Sequence, residues 1–203
     1  GIAVANSNDC SVNDTTVNVV MNGFDFVSDD ASFLQAFYSY QNKLIKIRNL
    51  NLNVDRTIAP IVSGQVQTNN FFEIETINID HTVVDIDGLY LDFSGMTSYD
   101  WSYSSFKYID IFIEHNEDTS GGKESRIRNF SITNPPSVQE STIHRMIDIR
   151  VPGRCTLENL DFDIGRHAAL IEASSASLTG EDSIRIKDLT MIGSLELKSV
   201  TFA

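Results

Sequence analysis

The residues best placed to do chemistry in this chain are carboxylates two positions apart. Asp85 and Asp87 form one such pair and Asp161 and Asp163 another, each inside a stretch that alternates apolar with polar residues. Side chains two apart on a strand share a face, so both members of each pair are expected to point outward. Glu172 extends the set of candidates, with Asp92 and Asp148 beside it. Two carboxyl groups about 5–9.5 Å apart can cleave a glycosidic bond, one as acid and the other as base or nucleophile. The same residues have a plainer use, because outward strand positions are polar by default and 28 acidic residues must be placed somewhere. A second concentration lies in Tyr99-Asp100-Trp101-Ser102-Tyr103, which holds the only tryptophan. Rings there can stack on the apolar face of a sugar, with Asp100 and Ser102 meeting its hydroxyls, or pack on a neighbouring element or subunit.

Other chemistries find little support. His81, His115, His144 and His167 are too widely spaced for a helix or loop metal motif, so neither a metal nor a cofactor is expected. Cys10 and Cys155 show no metal spacing and are too few for a disulfide framework. No serine sits in a nucleophile elbow, and no glycine-rich loop could cradle a phosphate.

Holding carboxylates at a set separation takes a repeating scaffold, and the sequence carries a repeat. The pattern is apolar, any, small polar, apolar, any, apolar. It reads Ile47-Arg-Asn49-Leu50-Asn-Leu52, Ile74-Glu-Thr76-Ile77-Asn-Ile79, Ile127-Arg-Asn129-Phe130-Ser-Ile132 and Leu157-Glu-Asn159-Leu160-Asp-Phe162. It returns as Ile186-Lys-Asp188-Leu189-Thr-Met191 and Leu197-Lys-Ser199-Val200-Thr-Phe202, with a looser copy at Phe106-Lys-Tyr108-Ile109-Asp-Ile111. Most copies start about 28 residues apart, a spacing typical of solenoids. The last two apolar residues keep the strand period, while the first two are three apart. A bend at the small polar residue lets all of them face inward, so each copy predicts strand, corner, strand. Stacking such coils pairs equivalent strands about 4.8 Å apart and buries a continuous apolar column. Twenty-two isoleucines against ten alanines favour strands over helices. The rival is an antiparallel sandwich, which would need frequent hairpin signals; Asn22-Gly23 and Asp87-Gly88 are the clear ones.

These corners resemble the right-handed parallel β-helix of the pectate-lyase-like superfamily, in which corner asparagines stack into a ladder. The resemblance implies that Asn49, Asn129 and Asn159 are ladder members, replaced elsewhere by Thr76, Tyr108, Asp188 and Ser199. Ahead of the repeats, Ser28 can cap a helix, and Asp29 and Asp30 suit its positive end. Phe33, Leu34, Phe37 and Tyr38 then form one stripe, predicting a helix that ends near Asn42. Asp29, Asp30, Leu34, Gln35 and Ala36 are similar to a stretch that precedes the first coils in phage tailspikes. The expected architecture is therefore all-β, a solenoid of about 6–7 coils spanning residues 43–203, with residues 1–42 as an N-terminal strand and capping helix. Full tailspikes are much longer, so the resemblance implies either a small relative or coils continuing past Ala203.

The net charge of −13 and a pI near 4.5 argue against nucleic acid as a partner. No apolar run is long enough to span a membrane, and no leader-like segment opens the chain, so membrane insertion and a retained signal peptide are not expected. By resemblance the first expectation is a tailspike-like appendage protein on a virion surface or outside the cell. It would be a homotrimer that binds bacterial surface polysaccharide, with cleavage left open. The alternatives are a secreted polysaccharide lyase or glycoside hydrolase using the carboxylates above, and a structural spacer with no ligand. Arg185-Ile186-Lys187 is explained by the corner repeat and does not indicate a polygalacturonase, whose companion motifs are missing. Asn13 and Asn129 head glycosylation sequons in form only.

Overall fold

A computed structural model describes residues 1–21, 36–57, 70–77, 79, 82–95, 107–114, 124–135, 143–151, 154–173, 184–198 and 200–202. They form twelve strands: β1 (Ile2–Ala5), β2 (Asp9–Met21), β3 (Phe37–Tyr40), β4 (Leu44–Thr57), β5 (Asn70–Ile77), β6 (Val83–Asp92), β7 (Lys107–Glu114), β8 (Ser125–Thr133), β9 (Arg145–Val151), β10 (Cys155–Ala173), β11 (Ile184–Lys198) and β12 (Val200–Phe202). Every pairing is parallel, which excludes the antiparallel sandwich. The strands run β1-β3-β5-β7-β9-β10-β8-β6-β4-β2 across one sheet, with β11 beside β10 and β12 beside β11. Up to β9, odd strands thus pair with odd and even with even, and the long β10, with β11 beside it, extends both runs. The two ends of this path, β1 and β2, are consecutive in the chain, so the sheet folds back into a nearly closed barrel.

The interior follows from the alternation. Ile47, Leu50 and Leu52 of β4 are fully buried, as are Ile86 and Leu89 of β6 and Ile127 and Ile132 of β8. The predicted bend explains how residues three apart both turn inward. Asn49, Asn129, Asn159 and Asp188 all have φ between 50° and 55°, a left-handed conformation that Asn and Asp tolerate better than most residues. Register sets Asp14, Asn49, Gly88, Asn129, Asn159 and Asp188 side by side on successive even-run strands. Asn49 Nδ2 donates to Asp14 Oδ1 at 2.8 Å, and Asn159 Nδ2 donates to Asn129 Oδ1 at 2.7 Å. At Gly88 the row has no side chain, and Asn129 Nδ2 turns to Asp87 Oδ1 at 2.6 Å instead. Each such bond is worth about 1 kcal/mol, against about 1.5–3 kcal/mol for each buried Ile or Leu, so the core holds the barrel and the ladder sets its register.

Three expectations need correction. Thr76 and Tyr108 are not members of this row. They lie on β5 and β7 in the odd run, where Thr76 registers with Ile113. Tyr108 is fully buried with its ring 4.4 Å from that of Phe93, an apolar role that the repeat pattern cannot distinguish from a corner. Phe37 and Tyr38 were expected on a helix but form β3. Phe37 turns inward and stacks on Phe72 at 4.8 Å, while Tyr38 and Tyr40 stack at 6.0 Å on the other side. Pairing with β1 and β5 outweighs the helical stripe there, because it satisfies the backbone and buries Phe37 together. The rest of the expected helix, residues 28–35, and corner residue Ser199 lie outside the described residues, among which no helix occurs.

Candidate functional site

Alternation on the odd strands brings two outward columns together. One runs Tyr38, Glu73, Asp110, Asp148 and the other Tyr40, Glu75, Phe112, Arg150, Glu172, Lys198, each residue beside the next on the neighbouring strand. In β5 the reason is visible in the sequence: Phe72, Ile74 and Thr76 face the core, which leaves Glu73 and Glu75 outside. The columns enclose a groove of about 180 Å³ lined by Glu73, Glu75, Lys107, Asp110, Phe112, Asp148 and Arg150.

Asp148 sits at the bottom of it, only 1% exposed. Arg150 grips it with two hydrogen bonds, Nε to Oδ1 and Nη2 to Oδ2, both 2.8 Å. Lys107 Nζ lies 3.1 Å from Asp148 Oδ2 and 2.7 Å from Asp110 Oδ2, so one ammonium bridges two adjacent carboxylates. Asn70 Nδ2 donates to the same Asp110 oxygen at 3.1 Å. Burial raises the Asp110 carboxyl above the usual carboxylate range; the bond from Lys107 opposes the shift, and the charge of Asp148 adds to it. Burial also pushes the Tyr38 hydroxyl up to about 12, helped by Glu73 and Glu75. The guanidinium of Arg150 lies 5.6 Å over the Phe112 ring, holding that ring at the groove wall. A raised carboxyl beside other carboxylates, with rings at hand, can donate a proton and hydrogen-bond hydroxyl groups.

The carboxylates singled out from the sequence are divided between two faces. Asp85 and Asp87 do share an outward face of β6, as expected, but each meets an arginine. Asp85 pairs with Arg48, and Asp87 with Arg128 at 2.9 Å. Asp161 and Asp163 lie on β10 beyond the Asn159 corner, in register with Thr190 and Ile192 of β11. Asp163 accepts the Gly165 N–H at 3.0 Å, which secures the bend in that strand. Asp92 is similarly occupied, accepting from Ser94 and Asn134. Glu172 and Asp148 lie on the odd-strand face with the groove, Glu172 being 3.9 Å from both Arg150 and Lys198. Tyr99, Asp100, Trp101 and Tyr103 fall outside the described residues. The sequence reading missed Asp110, although the alternation Ile109-Asp110-Ile111 marks it as outward.

Among the described residues no group of three or more His, Cys, Asp or Glu is arranged to hold a metal ion. Cys10 and Cys155 are buried free thiols, both raised by burial, and therefore poor nucleophiles. Another titratable feature is a structural joint. His167, 3% exposed, accepts the backbone N–H of His144 through Nδ1 at 3.3 Å where β9 meets β10. Burial lowers its pKa, with His144 and Arg166 adding to the effect. A histidine lowered in the folded state binds more protons when unfolded, so its contribution to stability is complete above about pH 6.5 and is lost as the pH falls below that. His167→Asn can offer Oδ1 to the same N–H but cannot be protonated there. It is expected to show a shallower loss of unfolding free energy between pH 7 and pH 5 in urea titrations; parallel curves would show that His167 does not carry the dependence.

No protein-family model matches the chain, and no curated protein or solved structure matches it either.

Proposed function

We propose that the chain winds as a right-handed parallel β-helix, like the coils of tailspike-type appendage proteins, and that its odd-strand face binds polysaccharide on a virion surface or outside the cell. Skip-one parallel pairing and the stacked left-handed corners support the winding, since equivalent corners that recur from coil to coil are what a solenoid requires. The observation that carries the binding reading is the pair of outward columns. Tyr38, Tyr40 and Phe112 lie in the same two columns as Glu73, Glu75 and Asp110, and this is the mixture of flat rings and hydroxyl-binding carboxylates that sugars need. Such a face runs along the coils and suits a linear glycan, and a homotrimer would place three of them around one rod.

A second reading, glycoside hydrolysis, is favoured by one observation. Asp110 is the groove carboxyl raised by burial, and Glu73 stands beside it on the next strand, the two backbones about 4.8 Å apart by strand spacing. Neighbouring outward carboxylates of this kind are the pairing that an acid and a nucleophile need in a retaining enzyme. The reading to test first is binding. On an array of bacterial polysaccharides the protein is expected to retain at least one glycan, and Tyr40→Ala to weaken it about tenfold. Trp101→Ala, run alongside, asks whether residues 99–103 add to the contact. If the protein retains no glycan, or if Tyr40→Ala binds as well as the parent, the odd-strand face is not a glycan site and the spacer reading stands.

A further inference from the structure

The groove on the odd-strand face has a sign as well as a shape. Four carboxylates line it, Glu73, Glu75, Asp110 and Asp148, against two cations, Lys107 and Arg150. Both cations are engaged on the β7–β9 side. Arg150 grips Asp148 through two bonds of 2.8 Å, and Lys107 bridges Asp110 and Asp148 at 2.7 and 3.1 Å. On the β5 side the field is negative: after burial, the charges of Glu73 and Glu75 help push the Tyr38 hydroxyl up to about 12.

Asn70 adds an independent observation. It is 7% exposed and donates Nδ2 to Asp110 Oδ2 at 3.1 Å, while its Oδ1 has no hydrogen-bond partner among the described residues. A buried acceptor of this kind, standing behind a groove of carboxylates, is answered by a ligand that brings N–H donors and positive charge. An anion would meet repulsion there and leave the acceptor as it is.

Register then supplies the placing. Tyr40, Glu75 and Phe112 are successive members of one outward column, so the half-buried Glu75 stands with an aromatic ring on each side. The strands that carry the two rings are two spacings apart, about 9.6 Å, which is roughly the span of two pyranose residues. We propose that this column is a subsite for an amino sugar whose amine is free and protonated, with the ammonium held by Glu75 between sugars stacked on Tyr40 and Phe112. The inference rests on the reading of the odd-strand face as glycan-binding and adds a substrate class to it. An ammonium donating to a carboxylate makes a charge-assisted bond, and the flanking rings keep water from part of it. Acetylating the amine leaves the stacking in place and removes the ion pair, so the site discriminates a free amine from its acetamide.

The test is calorimetry at low salt and about pH 6, where carboxylates are ionised and glucosamine amines protonated. Its probes are triglucosamine, its neutral N-acetylated counterpart and spermidine, a triamine without a sugar ring, each titrated into the parent protein, Glu75→Gln and Phe112→Ala. Glutamine keeps the size of Glu75, and the Glu75 carbonyl that accepts the Gln41 N–H at 2.8 Å is untouched, so Glu75→Gln should fold normally. The parent is expected to bind triglucosamine about tenfold more tightly than the acetylated trimer, and Glu75→Gln to bind the two alike. Phe112→Ala is expected to weaken both trimers. Equal affinities in the parent, or a preference that survives Glu75→Gln, would overturn the amine subsite; if both trimers still weaken in Phe112→Ala, the face binds glycan and only the subsite fails. Spermidine binding as tightly as triglucosamine would show that the groove reads charge alone and would overturn the sugar assignment. If neither trimer binds the parent, the subsite is overturned outright, and the polysaccharide array decides separately on the face.

Discussion

Asp148→Ala is expected to lower the unfolding free energy by about 3 kcal/mol, the largest effect of any single groove substitution. Asp148 is 1% exposed and is the shared partner of Arg150, at 2.8 Å, and Lys107, at 3.1 Å, with Arg145 at 3.9 Å. Truncation removes the anion and leaves its cations facing a cavity. Two features place the cost at the low end of that expected for a broken buried pair. Lys107 keeps Asp110, and Arg150 has Glu172 at 3.9 Å. Urea unfolding at neutral pH measures the loss, and adding Lys107→Met should recover none of it, because Lys107 still has Asp110 as its partner. A loss well under about 1 kcal/mol would mean that the cluster is solvated. The same substitution removes a negative charge that helps hold the Asp110 carboxyl up, so Asp110 should titrate lower in Asp148→Ala.

Gly88→Ala is expected to cost about 3 kcal/mol by an unrelated route. Gly88 has φ of 87°, which residues with a Cβ rarely adopt, and an added Cβ would lie 2.7 Å from Asn49 Oδ1 and 3.1 Å from the Asn49 backbone nitrogen. Neither β4 nor β6 can yield easily, since Ile47, Leu50, Ile86 and Leu89 on either side of the corner are fully buried. Gly165→Ala is the control: its φ is also positive, 60°, but nothing lies within 4 Å of an added Cβ, so it carries the backbone strain without the collision. The difference between the two midpoints in thermal or urea unfolding isolates the contact with Asn49. Equal losses would show that the corner row adjusts freely and does not set the register.

The repeat shows how far the primary structure reaches. Isoleucine-rich alternation, the Ile-x-Asn-Leu spacing and the scarcity of hairpin signals were enough to predict an all-β chain with parallel strands. They also marked Asn49, Asn129 and Asn159 as equivalent corners, because a left-handed corner between two inward-facing apolar residues imposes a local pattern; that these share one row was what the resemblance implied, and in that row Gly88 stands between Asn49 and Asn129. Gly88 was invisible to that search. It meets the same need for a positive φ with no side chain, so Ile86-Asp-Gly88-Leu89 breaks the small-polar rule while serving the same corner. Phe37 and Tyr38 failed in the opposite direction, since their local stripe suits a helix and only pairing with β1 and β5 makes them a strand.

The carboxylates divide along the same line. That Asp85 and Asp87 share a face follows from the strand period alone. That each of them meets an arginine, while Asp110 and Asp148 share Lys107, depends on which strands are neighbours. Asp110 and Asp148 are far apart in the chain, and only the β7–β9 register makes them adjacent. Local spacing determines which way a side chain points from its own strand. Long-range register determines what it then faces, and with that whether a carboxylate is neutralised, buried or left available to a ligand.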